Sequence, residues 1–198
     1  YVQDISSERL AGVTVAGSKV EGWKVADPNL QPATLNLQPG KLVATTDYAA
    51  LAHCDAAIIC VPTPLNKTRD PDVRFLIAAG ESAAQHIHPG MLIVLESTTY
   101  PGTTEELLLP MLTAPSVLDR LGVERFAVGQ DFFLAFSPER IDPGRLDYMV
   151  ENTPKVVGGT TPACLEVATA LYGAAIQRIV PVSSTQTAEM VKLLENTF

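Results

Sequence analysis

From about residue 42 onward, the chain alternates short β-rich apolar runs with stretches of helical character, and this restricts it to a sheet covered by helices. The runs occupy 42–45, 56–61, 91–95, 132–136, 155–158 and 178–182. Most are nearly continuous in apolar residues rather than alternating, as in strands buried on both faces, so the pattern predicts an α/β fold on a parallel sheet. Asp70, Pro71 and Asp72 supply an N-cap, a first-position proline and a first-turn acid for a helix reaching Ile87. Thr103 and Glu106 form a capping box for the next, which Pro110 should kink or end. Thr161–Pro162 opens a third helix, ending near Ala175. A last one starts around Ser183, Ser184 and Thr185 and is still helical in pattern at Phe198, so the chain is expected to be truncated there. Residues 11–39, rich in proline and glycine with little periodicity, read as irregular.

Composition narrows the function classes. No apolar run approaches the roughly 20 residues of a membrane span, and the first residues lack the basic-then-apolar pattern of a signal peptide. A formal charge of −8 argues against nucleic acid and anionic membrane as partners. Cys54, Cys60 and Cys164 are an odd number without metal-ligand spacing, which fits a reducing compartment, the cytoplasm, and no metal site.

In an open α/β sheet, ligands bind beyond the carboxyl ends of the strands. Three segments follow strands there: Val61-Pro62-Thr63-Pro64, Glu96 through Thr103, and Ser137 through Gly144. Each offers hydroxyls, free amides or charge, although any one alone reads as an ordinary connection. On the last helix, Thr185, Glu189, Lys192 and Asn196 recur at helical spacing as one polar stripe, which by itself reads as a solvated face.

The strings IICVPTP, ESTTYPGTTEELLLP, FFLAFSPERIDPG, KVVGG and VPVSSTQTAEMVKLLENTF, in this order, resemble the UDP-glucose/GDP-mannose dehydrogenase family, and most closely its bacterial branch acting on UDP-N-acetylhexosamines. The resemblance covers about residues 41–198, with a weaker echo in YVQDISSERL. It implies a Rossmann-like NAD-binding domain over 1–182, incomplete at its start, and over 183–198 the beginning of the long helix that leads to the family's middle domain. It also implies oxidation of a sugar CH2OH to a carboxylate by two hydride transfers to NAD, with the aldehyde held as a thiohemiacetal.

By position, Val61, Pro62 and Thr63 match the loop against the cofactor's adenosine and ribose. Ser97 and Thr98 match the pair near the nicotinamide, the threonine positioning a water. Glu139 matches the acid/base glutamate of thioester hydrolysis, while Lys192 and Asn196 match the pair that stabilises the oxyanion on the substrate's C6. Arg140 and Ile141 match the stretch contacting the sugar. Pro143 stands where the UDP-glucose branch has a second glutamate, which argues against UDP-glucose. The resemblance further implies a UDP-sugar substrate, a role in polysaccharide biosynthesis, and a homodimer or higher oligomer for the complete enzyme.

No GxGxxG occurs in these 198 residues, and none of the three cysteines lies in the glycine-rich loop where the family carries its nucleophile. The chain alone is therefore expected to bind NAD weakly and to turn over no UDP-sugar. The stretch 11–40 is longer than the family pattern. A non-catalytic binding or scaffold module of the same descent is the competing expectation. Another Rossmann enzyme, such as a hydroxyacid dehydrogenase, leaves ESTTYPGTT and SPER together unexplained.

Overall fold

The computed structural model describes residues 45–64, 71–139 and 153–197, with side chains through Leu194. The expectations for 1–44, Asp70, Arg140, Ile141, Pro143 and the Asn196 side chain lie outside the described residues. Five strands, β1 (Ala56–Ile59), β2 (Leu92–Leu95), β3 (Phe133–Phe136), β4 (Lys155–Gly159) and β5 (Ile179–Val182), form one sheet in the order β1-β2-β3-β4-β5. The helices are α1 (Arg74–His86), α2 (Leu109–Leu112), α3 (Pro115–Leu121), α4 (Pro162–Gly173) and α5 (Thr185–Thr197). A 3-10 helix, Tyr48–His53, precedes β1, and π-helical turns, Thr103–Leu108, run into α2.

The alternation along each strand decides which helix it meets. Ile93, Leu95, Leu134, Phe136 and Val156 point to one face, where they share a core with Leu76, Ala83, Leu108, Leu112 and Ala188 from α1, the π-helical turns, α2 and α5. Leu92, Val94, Ala135 and Val157 point to the other face and meet Ala168 and Tyr172 of α4. Ala188 is fully buried in the first core, so the early turns of α5 belong to the packing of the sheet.

Two glycines let helices approach the sheet closely. A Cβ on Gly158 would lie 2.3 Å from the Ser184 carbonyl oxygen, and one on Gly159 would lie 2.3 Å from the Leu165 nitrogen. Consecutive strand residues face opposite sides, so one glycine serves each face.

Several expectations are corrected. The sheet is parallel through β1, β2 and β3, but β4 runs antiparallel to β3, and β5 is parallel to β4. α1 begins at Arg74 rather than at Pro71, because the Asp72 amide donates to the Pro64 carbonyl at 2.8 Å and the Asp72 carboxylate is occupied by Arg74 at 2.6 Å. The Thr103–Glu106 capping box does not form. Thr103 Oγ1 donates instead to the Tyr100 carbonyl at 2.6 Å, and the amides of Gly102 and Thr104 bond to Glu189 of α5. Pro110 sits in the first turn of α2, which ends at Leu112, and α3 follows where no helix was expected. The cap at Thr161 matches the expectation, its hydroxyl accepting from the Cys164 amide at 3.2 Å.

Candidate functional site

β1, β2 and β3 are parallel, so the residues following them emerge at one edge of the sheet. The Ser97 hydroxyl, nearly buried, accepts from the Val61 amide at 2.7 Å and donates to the Ile59 carbonyl at 3.4 Å. It fastens the Val61–Pro62–Thr63 loop to the end of β2, with Thr98 next along the chain and half-buried. The Thr99 hydroxyl is buried without a hydrogen-bond partner.

Lys192 Nζ, from α5, donates to the backbone carbonyl of Glu139, just beyond β3. This brings a residue from the last helix to the edge that carries Thr98, across 53 positions of sequence. The stripe that holds Lys192 is not a solvated face, since Thr185 and Glu189 are both fully buried. Glu189 Oε2 accepts from the Gly102 amide at 2.5 Å, and Oε1 accepts from the Thr104 amide at 2.9 Å and the Thr104 hydroxyl at 2.6 Å. Burial pushes the Glu189 carboxyl above its ordinary range, and the Thr104 and Gly102 bonds offset part of that. In the reverse direction, the Thr185 hydroxyl donates to Glu105 Oε1 at 2.6 Å.

A second cluster lies where β2 ends and β4 begins. Lys155 Nζ is 2.7 Å from Glu96 Oε1, with both side chains little exposed (11% and 13%). The Tyr172 hydroxyl donates to the same oxygen at 2.5 Å, the Cys60 thiol to Oε2 at 3.6 Å, and Lys155 also donates to the Pro138 carbonyl at 3.4 Å. Desolvation, then the Glu96 charge, raises both the buried Tyr172 phenol and the Cys60 thiol, the latter to about 12 although Cys60 as a residue is exposed at the rim. Cys60 thus stands at the functional edge as a thiol and not a thiolate. Cys54 is also raised, by burial and Asp55, and Cys164 is fully buried, its sulfur accepting from the Leu134 amide at 3.3 Å.

Glu189, Lys155 and Tyr172 were not among the expected site residues. Glu189 was visible only as part of the polar stripe, and the signal for Lys155 was charge set directly against an apolar run, Glu96 after β2 and Lys155 opening β4. Among the described residues, no cluster of His, Cys, Asp or Glu could hold a metal, and no helix is long and apolar enough to cross a membrane.

A mostly parallel sheet with helices on both faces, and with hydroxyls gathered at the strand ends, defines a Rossmann-like nucleotide-binding domain. Residues 4–176 match the NAD binding domain of the UDP-glucose/GDP-mannose dehydrogenase family, and the chain belongs to that family. It is 34% identical over 192 residues to a UDP-N-acetyl-D-glucosamine 6-dehydrogenase of Pseudomonas aeruginosa, covering 93% of this chain and 44% of that protein. It is 36% identical over 164 residues to a UDP-N-acetyl-D-mannosamine dehydrogenase of Pyrococcus horikoshii, covering 82% of this chain and 36% of the relative. The fold superposes on the NDP-N-acetyl-D-galactosaminuronic acid dehydrogenase of Methanosarcina mazei Go1 with a TM-score of 0.67 at 34% identity, over 80% of this chain and 32% of that one. The chain thus spans less than half the length of these relatives.

The described residues fit the cofactor. The edge offers hydroxyls at Thr63 and Thr98 and an orphaned buried hydroxyl at Thr99. At the end of β2 the Glu96 carboxylate is paired with Lys155, which offsets its repulsion of an anionic dinucleotide.

Proposed function

We propose that the chain contributes the cofactor-binding domain and part of the catalytic apparatus of an NAD-dependent UDP-sugar 6-dehydrogenase. The enzyme acts on a UDP-N-acetylhexosamine in the cytoplasm, supplies uronic acids for polysaccharide synthesis, and works as a homodimer or higher oligomer. The observation that carries this reading is the Lys192 ammonium bonded to Glu139 at the edge bearing Thr98. The names of the relatives support the choice of sugar.

Overall, the substrate CH2OH and one water become a carboxylate, four electrons leaving as two hydrides. NAD supplies the two-electron acceptor for each oxidation. Val61, Pro62 and Thr63 hold its adenosine and ribose, on a loop that the Ser97 hydroxyl keeps in place. Arg140 and Ile141 contact the sugar. Lys192 and Asn196, about one turn apart, stabilise negative charge on the C6 oxygen, a role suited to a fixed cation beside a neutral donor. Thr98 orients the water, and Glu139 moves its proton. The thiol nucleophile of the family chemistry is not Cys54, Cys60 or Cys164.

The test is NADH absorbance with the full-length protein on UDP-N-acetylglucosamine, UDP-N-acetylmannosamine and UDP-glucose, beside the 198-residue chain alone. Two NADH per N-acetylated sugar are expected from the full-length protein and none from the chain alone. Lys192→Ala should lower kcat by about 100- to 1,000-fold. No NADH from any sugar, or a Lys192→Ala variant at the wild-type rate, would overturn the reading.

A further inference from the structure

We propose that Glu189 is a positioning residue of the reaction, setting Lys192 against Thr98 by gripping the turn after β2. The inference rests on the function proposed above. Glu189 is 0% exposed and spends its carboxylate on one turn of a distant segment, accepting from the Gly102 amide, the Thr104 amide and the Thr104 hydroxyl. Two oxygens on two amides fix direction as well as distance, which apolar packing between a helix and a turn does not. Packing alone would be served by a side chain such as the neighbouring Ala188, without the cost of desolvating a carboxylate.

The grip sits between the catalytic groups. Lys192 lies three residues further along α5, a rise of about 4.5 Å, and its ammonium is already engaged at Glu139. Gly102 lies four residues beyond Thr98, adopts the left-handed conformation (φ 99°) and donates its amide to Glu189. The Thr185–Glu105 bond at 2.6 Å ties the same two segments one turn earlier, so α5 cannot slide or rotate against the turn without breaking hydrogen bonds at two levels. A slip of 1 Å there displaces the Lys192 ammonium from the substrate oxygen while leaving the Val61–Thr63 loop, fastened by Ser97, where it was.

Glu189→Gln puts an amide NH2 against a donor on at least one oxygen position, and Thr104→Val removes only the hydroxyl donor. In the full-length protein, Glu189→Gln is expected to lower kcat about 100-fold, with KM for NAD unchanged, and Thr104→Val to act in the same direction by less. Because the effect passes through Lys192, Glu189→Gln should cost little further in a Lys192→Ala background. A folded Glu189→Gln variant with wild-type kcat overturns the proposal, as does a loss that multiplies fully with that of Lys192→Ala. If Glu189→Gln does not fold, Thr104→Val decides: reduced kcat at unchanged KM for NAD supports the proposal, and wild-type kcat overturns it. A wild-type protein that forms no NADH instead overturns the functional reading on which the proposal rests.

Discussion

Lys155 and Glu96 face each other at 2.7 Å across the ends of two strands that are not neighbours, β3 lying between them. The pair spans the place where the Glu139 segment leaves the sheet, and its ammonium also holds the Pro138 carbonyl. Removing one partner leaves a little-exposed charge unmatched. Lys155→Met should therefore cost about 3 kcal/mol of stability by chemical denaturation. The double variant Glu96→Gln/Lys155→Met should cost clearly less than the two single losses together, and strict additivity would show that the pair is uncoupled.

The same carboxylate controls Cys60. Its thiol is raised to about 12, by desolvation first and by Glu96 second, so the reactive thiolate is scarce at pH 8 and increases only as pH climbs toward that value. Alkylation of Cys60 by iodoacetamide, followed by peptide mass spectrometry, should be slow at pH 8 and faster at each step above it. In Glu96→Gln the curve should shift to lower pH, because the Glu96 charge and its hydrogen bond to the thiol are both removed. Rapid labelling of the wild type at pH 8 would show that the thiol is not held protonated.

Gly158 is predicted to tolerate no side chain. A Cβ there meets a backbone carbonyl oxygen at 2.3 Å, an atom that cannot swing aside as a side chain could. Gly158→Ala should lose about 1–3 kcal/mol, read from its denaturation midpoint. Gly173→Ala, where a Cβ meets nothing within 4 Å, should not be destabilised.

How much of this was legible depends on how local each determinant is. The inner strands β2, β3 and β4 were readable because burial on both faces leaves continuous apolar runs, and α4 because Thr161 caps its own helix. The direction of β4 was not, since Lys155-Val156-Val157-Gly158-Gly159 reads the same whichever way its neighbour runs. The 103–106 capping pattern failed because the Thr103 amide and hydroxyl both donate to the Tyr100 carbonyl while the Glu106 amide donates to the Gly102 carbonyl, so neither amide is left for the other's side chain. At the site, Thr98, Glu139 and Lys192 carried a motif, whereas Lys155 and Tyr172 become partners of Glu96 only once the sheet has formed. Glu189 lay within the expected polar stripe, yet nothing in helical spacing distinguishes a stripe facing water from one facing a turn.

The reversal at β4 makes evolutionary change cheap at one place. Because β4 runs back against β3, the segment from 137 to 154 departs from and returns to a single rim of the sheet, its feet pinned by the Ser137 hydroxyl on the Val156 carbonyl at 2.7 Å and by Lys155 on Pro138. Those feet are among the described residues and fix the register of β3 against β4, so a change of sequence confined to 140–152 leaves every residue that sets that register in place. The scaffold thereby holds its proposed sugar-reading stretch as a replaceable cassette, so that descendants of one sheet can diverge in the sugars they accept while keeping the same strands beneath.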